Sequence, residues 1–226
     1  RLYGDFYQLD MEMAFVEDGE EVRQMLDPLI SGLVTDFAGK TLKFKEFPRI
    51  TYNEAMNKYG SDKPDLRFGM ELVDLSDDFQ NTEFGVFGGA LKNGGVVKAI
   101  CVEGGASLSR SEIDKFTEVA KLNGAGGLAY INFKEDDTQS PILKFLSSKE
   151  IEVIKSKLNV GVGDAVFFGA DSIGVVNRVL GVLRNEFADH FKLKDPNVVA
   201  ALWVVDFPFY EWDEKARKLD FGHNPF

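Results

Sequence analysis

Val96-Val-Lys-Ala-Ile-Cys-Val102 is an almost wholly apolar run of seven residues, and Ser109-Arg-Ser-Glu112 follows it closely. The run predicts a buried β-strand, because β-branched residues dominate it and it is too short for a buried helix. A serine followed three positions later by a glutamate is typical of a helix N-terminus, since each side chain can bind a backbone amide of the other residue. The sequence therefore predicts a strand and then a capped helix.

The same pattern recurs further along the chain. Ser147-Ser-Lys-Glu150 is a second capping box, and Ala165–Phe168 is a short apolar run between glycines. With Leu128–Phe133 and Ile142–Leu146 as further predicted strands, the order is β-α-β-β-α-β. This order predicts a two-layer α+β sandwich with both helices on one face of the sheet. A long helix over residues 171–191 closes the unit.

The start of the chain alternates apolar and polar residues from Phe6 to Val16. Side chains alternate between the two faces of a strand, so the segment predicts a β-strand with one apolar face. Gln8, Asp10 and Glu12 share the other face, which is short and rich in hydrogen-bond acceptors. On the pattern alone, two interpretations stay open: an ordinary strand with one wet side, or the floor of a ligand site.

Composition excludes several classes of function. The 226 residues carry 37 acidic and 26 basic side chains, a net charge of −11. Affinity for nucleic acid depends mainly on clustered cations, so this balance argues against a nucleic-acid-binding surface here. No apolar run approaches the ~20 residues of a membrane span, and we expect no membrane association. The one cysteine, Cys101, fits the reducing cytoplasm, and with only two histidines we predict no metal site.

Two further motifs carry little function when they are taken alone. Gly124-Ala-Gly-Gly127 ends a helix and opens a strand, whereas a dinucleotide loop follows a strand and opens a helix. It therefore predicts a helix end and a turn. His223, in His223-Asn-Pro-Phe226, is a lone histidine, a kind that is usually structural or solvated. From the residues alone we conclude only that this is an acidic α+β chain.

Segments in collinear order along nearly the whole chain resemble the bacterial-type aspartate–tRNA ligases, which are class II aminoacyl-tRNA synthetases. The middle block is similar to the GAD domain, which that family shares with subunits of the amidotransferases that act on misacylated tRNA. The segments that carry the resemblance are Phe6-Tyr-Gln-Leu-Asp-Met-Glu-Met-Ala-Phe15, Phe47-Pro-Arg-Ile-Thr-Tyr-Asn-Glu-Ala-Met56, Tyr59-Gly-Ser-Asp-Lys-Pro-Asp-Leu-Arg67, Ser109-Arg-Ser-Glu-Ile-Asp114, Gly127-Leu-Ala-Tyr-Ile131, Trp203-Val-Val-Asp-Phe-Pro208, Glu211-Trp-Asp-Glu214 and His223-Asn-Pro-Phe226.

The resemblance implies three parts. Residues 1–68, from the second strand of motif 2 onward, and residues 193–226, ending before motif 3, would belong to the antiparallel-sheet catalytic core of a class II synthetase. Residues 69–192 would form a GAD-like insertion. We interpret the chain as a fragment of the longer enzyme. The arginines that the family uses to bind ATP phosphates would lie outside residues 1–226, so we expect the fragment itself to be inactive and to hold no cofactor.

The resemblance also implies roles for four residues in binding aspartate and its adenylate. Asp10 would pair with the α-ammonium group of the substrate, and Gln8 would bind near the carboxyl group under attack. Glu12 shares their face. His223 would close over the bound aspartate, because an imidazole with a pKa near ~6.5 can donate to the side-chain carboxylate that distinguishes this substrate. Where the family often has a second histidine, this chain has Asn224.

The implied parent is a cytoplasmic homodimer. It would activate L-aspartate with ATP and Mg²⁺ and transfer it to tRNA(Asp), or to tRNA(Asn) as well. Two alternatives remain: a non-catalytic GAD-type docking module, and a GAD-containing subunit of a tRNA-dependent amidotransferase. The flanks, residues 6–16 and 203–226, discriminate between them, because they resemble the class II core that an amidotransferase subunit should lack.

Overall fold

The computed structural model describes residues 4–5, 7–135, 138–213 and 216–222. No helix in these ranges is long and apolar enough to cross a membrane. The α-helices are α1 (Gly19–Gly32), α2 (Tyr52–Tyr59), α3 (Gly85–Lys92), α4 (Arg110–Leu122), α5 (Ser148–Lys157) and α6 (Ile173–His190). The strands are β1 (Thr41–Leu42), β2 (Arg49–Thr51), β3 (Val73–Asp74), β4 (Val96–Val102), β5 (Ala129–Phe133), β6 (Thr138–Gln139), β7 (Ala165–Asp171), β8 (Val198–Val199), β9 (Trp203–Val205), β10 (Tyr210–Asp213) and β11 (Lys218–Phe221).

A five-stranded sheet forms the centre of the molecule, in the order β3-β4-β7-β5-β6. Every neighbouring pair is antiparallel. All seven residues of β4 pair with β7, from Val96 opposite Asp171 to Val102 opposite Ala165. The predicted strands at 96–102, 128–133 and 165–168 are thus confirmed, and so is the α+β class.

Helices cover this sheet on both faces. Successive residues of β4 point to opposite faces of the sheet and lie in two separate buried clusters: Ile100 is in the first and Ala99 in the second. Helices α4 and α6 contribute to the first cluster, and α3 and α5 to the second. The prediction that the two boxed helices share one face is therefore wrong. The reason is that β4 and β7 are apolar on both faces, and each apolar face needs its own cover.

Both predicted capping boxes form. Ser109 and Glu112 cap α4 reciprocally, and Ser147 and Glu150 do the same for α5. The strand predicted over Ile142–Leu146 is wrong, because residues 143–145 form a 3₁₀ turn and β6 is the edge strand instead. Pro141 precedes this turn, and proline lacks the amide that a strand ladder requires.

Strands that precede the central sheet along the chain pair with strands that follow it. Strand β1 pairs with β8, and β2 pairs with β9, both in parallel. Among the described residues of the flanks, the β10–β11 hairpin alone is antiparallel, so this part of the chain shows the expected antiparallel sheet only there. Residues 200–202 separate β8 from β9.

An ionic cluster holds α1 against the β2–β9 pair. The guanidinium of Arg49 lies 2.8 Å from carboxylate oxygens of both Glu20 and Asp27. The indole Nε1 of Trp203 donates to Asp27 at 2.7 Å. Helix α1 is followed by one π-helical turn over residues 33–37, and Pro28 lies inside α1.

Candidate functional site

The opening segment does not form the predicted strand. Residues 7–16 have no strand hydrogen bonding in the structure, and the side chains of Tyr7 and Phe15 are 102% and 105% exposed. Phe15 also adopts a positive φ of 60°, outside the strand region. A strand exists only when a neighbouring strand satisfies its amides and carbonyls, and the described residues provide no such neighbour for this segment.

Three of the four predicted ligand-binding residues lie in the described part of the chain. Gln8, Asp10 and Glu12 are exposed and make no hydrogen bond to other described residues. His223 lies outside the described residues. The structure therefore leaves the predicted aspartate site as a prediction.

A cleft of about 520 Å³ lies beside α6, where the two flanks approach the central unit. It is lined by Tyr52 of α2, by Ser61 and Asp62 of the following loop, and by Glu211 of β10. Helix α6 supplies the opposite wall through residues 174–186. The cleft joins three of the segments that carry the family resemblance.

Carboxylates dominate the electrostatics of this cleft. Burial raises the pKa of the Tyr52 phenol, and the charges of Glu211 and Asp62 raise it further. Arg178 is the cation on the α6 wall, and its Nε is bound to the carbonyl of Asn123. Within the described ranges, no group of three His, Cys, Asp or Glu side chains is placed to hold a metal ion. The charged side chains that line the cleft are Asp62, Arg178, Glu186 and Glu211.

Arg184 is a structural residue that the sequence analysis missed. It lies in α6, is 1% exposed, and donates to four backbone carbonyls of the segment that precedes β3. Its guanidinium also stacks over the rings of Tyr59 and Phe68, 5.0 and 4.2 Å from their centroids. Burial lowers the pKa of Arg184 to about 10. The sequence does contain a signal for it, because Arg184 is a charged residue on the same helix face as the apolar residues Leu180, Leu183 and Phe187.

Lys98 is a second buried cation, in the middle of β4, and it is also 1% exposed. Its Nζ donates to the Oδ1 atoms of Asn177, at 2.9 Å, and Asn57, at 3.1 Å. Burial lowers the pKa of this ammonium. A lysine inside an otherwise apolar strand was the signal for it in the sequence.

Comparisons with known proteins find two similarities, one to a domain family and one to a group of enzymes. Residues 87–180 match the GAD domain. The chain is 44% identical over 223 residues to the aspartate--tRNA(Asp/Asn) ligase of Chlorobium phaeobacteroides strain BS1, covering 99% of the chain and 36% of that protein. The corresponding ligase of Desulfosudis oleivorans is 45% identical, covering 98% of the chain and 37% of that protein.

A third relative, the aspartate--tRNA(Asp/Asn) ligase of Methylorubrum extorquens, is 45% identical over 229 residues, covering 99% of the chain and 38% of that protein. The chain thus spans little more than a third of the length of the relatives that it matches. The resemblance inferred from the residues is confirmed: the chain carries a GAD domain and is similar, over nearly its whole length, to one section of the aspartate--tRNA(Asp/Asn) ligases.

Proposed function

We propose that the chain is part of an aspartate–tRNA ligase. The parent would join the α-carboxylate of L-aspartate to the α-phosphate of ATP with release of pyrophosphate, and then pass the aspartyl group from the adenylate to tRNA with release of AMP. The observation that carries the proposal is the match at 43–45% identity across 98–99% of the chain. We extend the proposal to both tRNA(Asp) and tRNA(Asn), because both stand in the names of the relatives.

The proposal includes the division into a catalytic core, residues 1–68 and 193–226, and an insertion, residues 69–192. Strand pairing supports it. Strands β1 and β2, which precede the central unit, pair with β8 and β9, which follow it. A domain inserted into another leaves the host segments joined in this way. The central sheet meanwhile has its own two buried clusters.

In the catalytic core, we propose that Asp10 binds the α-ammonium group of aspartate and that His223 binds its side-chain carboxylate. Gln8 and Glu12 would complete the polar floor. The support is chemical: a carboxylate and an imidazole can separately recognise the two charged ends of this substrate. In the parent, the apolar residues of the opening segment, among them Tyr7 and Phe15, would then be covered by neighbouring strands.

ATP and Mg²⁺ are proposed as a substrate and a cofactor of the parent, and a homodimer as its assembly. We assign no Mg²⁺ ligand, because the described residues hold no group of three metal-ligating side chains. Mg²⁺, where it binds in the parent, would neutralise charge on the ATP phosphates. The residues of this chain would bind and orient the amino acid.

The docking-module and amidotransferase alternatives are less well supported. A protein that shares only the GAD domain would match within residues 87–180. The similarity to the ligases also extends through both flanks, over 223 of the 226 residues. Those flanks contain the segments with the proposed substrate-binding residues.

Aspartate-dependent exchange of pyrophosphate into ATP by the full-length protein tests the proposal. Asp10→Ala should weaken aspartate binding by about 2–5 kcal/mol, because the buried ammonium group loses its counter-charge. His223→Ala should raise the KM for aspartate and leave the KM for ATP nearly unchanged. Asp114→Ala, at an exposed carboxylate of α4, is the matched control. No exchange by the wild-type protein, or unchanged aspartate affinity in Asp10→Ala, would contradict the proposal.

A further inference from the structure

Most of the segment between α2 and β3, residues 60–68, belongs to the proposed catalytic core, yet α6 of the proposed insertion holds it. Arg184 of α6 donates from Nη2 to the carbonyls of Asp65, at 2.8 Å, and Gly69, at 2.9 Å. The same nitrogen lies 3.2 Å from the carbonyl of Phe68, and Nε donates to the carbonyl of Met70 at 3.1 Å. Four carbonyls from six consecutive residues therefore converge on one guanidinium.

This buried cation has no carboxylate partner. Among the described residues, Arg184 forms no ion pair; the Asp65 carboxylate binds Arg67 instead, at 2.7 Å. Burying a charge is costly unless it is fully hydrogen-bonded. The carbonyl dipoles must therefore point at the guanidinium together, which restricts the backbone of residues 65–70 to one path.

Two further contacts hold the end of α2 and the residue that follows it. Lys98 and Asn177 of the GAD domain hold Asn57 through the Lys98 ammonium. Gly60, with φ of 68°, packs so tightly against α6 that an added Cβ would lie 2.1 Å from the carbonyl oxygen of Asn177. A Cβ on Gly181 would lie 2.7 Å from the carbonyl oxygen of Gly60. Neither position has room for a side chain.

The anchored segment leads directly to the flank strands. Helix α2 follows β2 without a break, and Thr51 of β2 pairs with Val205 of β9. The ring of Tyr52 lies 5.1 Å from that of Phe207, shortly before the β10–β11 hairpin. The proposed ligand His223 comes two residues after that hairpin. The contacts thus run from α6 through α2 to Phe207, in the part of the chain that leads by sequence to His223.

We propose that Arg184 is a positioning residue for aspartate binding: by fixing residues 57–70 it sets the position of the flank strands that lead to His223. The GAD domain would then control the affinity for the amino acid without contributing a side chain to the site. The inference rests on the proposed function for its catalytic consequence, whereas the anchoring itself does not depend on that function.

The test uses the full-length protein with Arg184→Met, which leaves the four carbonyls without a donor, and Gly60→Ala, which forces the segment off α6 without removing a charge. Arg110→Met, at an 80% exposed arginine of α4, is the matched control. Hydrogen exchange of peptides covering residues 57–72 should become faster in both variants, with β4, β5 and β7 unchanged. If Arg184→Met does not fold, Gly60→Ala carries the test.

The kinetic readout separates positioning from general damage. Both variants should raise the KM for aspartate about tenfold, a size typical of coupling between sites, and change the KM for ATP less than about twofold. Arg184→Lys should lie between wild type and Arg184→Met, because it keeps the charge but not the forked donor geometry. Unchanged hydrogen exchange, or equal rises in both KM values, would overturn the inference. If the wild-type protein catalyses no aspartate-dependent exchange, the proposed function fails and hydrogen exchange alone judges the anchor.

Discussion

Strand β4 and the opening segment are both patterned for β-structure, and their outcomes differ completely. In β4, Val97, Ala99 and Ile100 are fully buried, and all seven residues pair with β7. In the opening segment, Tyr7 and Phe15 are fully exposed, and the described residues supply no partner strand. Apolar and polar residues alternate more clearly in the opening segment than in β4.

The hydrophobic pattern therefore specifies which face a strand would bury, whereas the presence of a neighbouring strand decides whether it forms. Backbone amides and carbonyls of a strand must be bound by a neighbour or by water. Strand β4 has neighbours on both sides, β3 and β7. The opening segment has its pattern without the neighbours, as we expect of a piece of a larger sheet.

We expect the largest effect from a substitution in the central sheet. Phe167 of β7 is fully buried, with its ring 4.5 Å from that of Phe187. Phe167→Ala should lower the free energy of unfolding by about 3–5 kcal/mol, because it leaves a cavity at the centre of the sheet. Phe15→Ala, which removes the same atoms from an exposed position, should change it by less than about 0.5 kcal/mol. Urea unfolding of the two variants measures the contrast.

The same two variants can be compared in the full-length protein. If partner strands cover the opening segment there, Phe15→Ala should destabilise that protein by about 3 kcal/mol. If Phe15→Ala has a negligible effect both in this chain and in the full-length protein, Phe15 stays exposed in both. The proposed place of the opening segment in a sheet would then be wrong.

The second expected effect concerns which parts resist protease. The opening segment is exposed and lacks secondary structure, so it should be cut first. The insertion that the resemblance implies begins at residue 69. Because Arg184 holds the carbonyls of residues 65–70, we expect the resistant piece to begin near Phe47 instead. Mass spectrometry of early products gives the boundary; a start near residue 69 would show that α6 does not hold the preceding segment.

Local signals in the sequence predicted the elements of the central unit well. The boxes at Ser109 and Ser147 and the run at 96–102 are decided by neighbouring residues, and all three formed as expected. Which face each helix covers is decided by distant residues, and that prediction was wrong. The apolar character of both faces of β4 was visible in the sequence and favoured cover on each side.

The candidate site was predictable only through resemblance. Gln8, Asp10 and Glu12 carry no local pattern that separates a ligand site from a wet strand face, and the structure leaves them exposed. Arg184 and Lys98 show the opposite limit. Each stands out as a charge among apolar residues, but the backbone carbonyls and side-chain amides that bind it are at least 41 positions away, and no sequence pattern predicts them.

The third expected effect is smaller and compares three serine caps. Ser109 and Ser147 each accept a hydrogen bond from the backbone of a glutamate three residues on. Replacing either with alanine should cost about 1 kcal/mol of the free energy of unfolding. Ser172 precedes α6 but makes no side-chain cap hydrogen bond, so Ser172→Ala should cost less than about 0.5 kcal/mol. Equal losses at all three positions, measured by urea unfolding, would refute the role of the boxes.

The smallest expected effect is a pH dependence of the joint between α1 and the flank strands. Hydrogen bonds from Arg23 and Arg49 lower the pKa of Glu20 from 4.5 to about 2. Because the pKa is lower in the folded state, the stabilising contribution of Glu20 is present above about pH 4.5 and is lost as the pH falls towards about 2. Glu20→Gln should flatten this dependence.

Trp203 reports on the same joint, since its indole donates to Asp27 beside Arg49. In a Trp212→Phe background, the fluorescence of Trp203 should change across that acid window in the parent chain and much less in Glu20→Gln. Glu118→Gln, at an exposed glutamate paired with Lys121 in α4, is the control and should keep the change. If the fluorescence of Glu20→Gln follows the parent through the window, another carboxylate governs the joint, and the first to replace is Asp27, which shares Arg49 with Glu20.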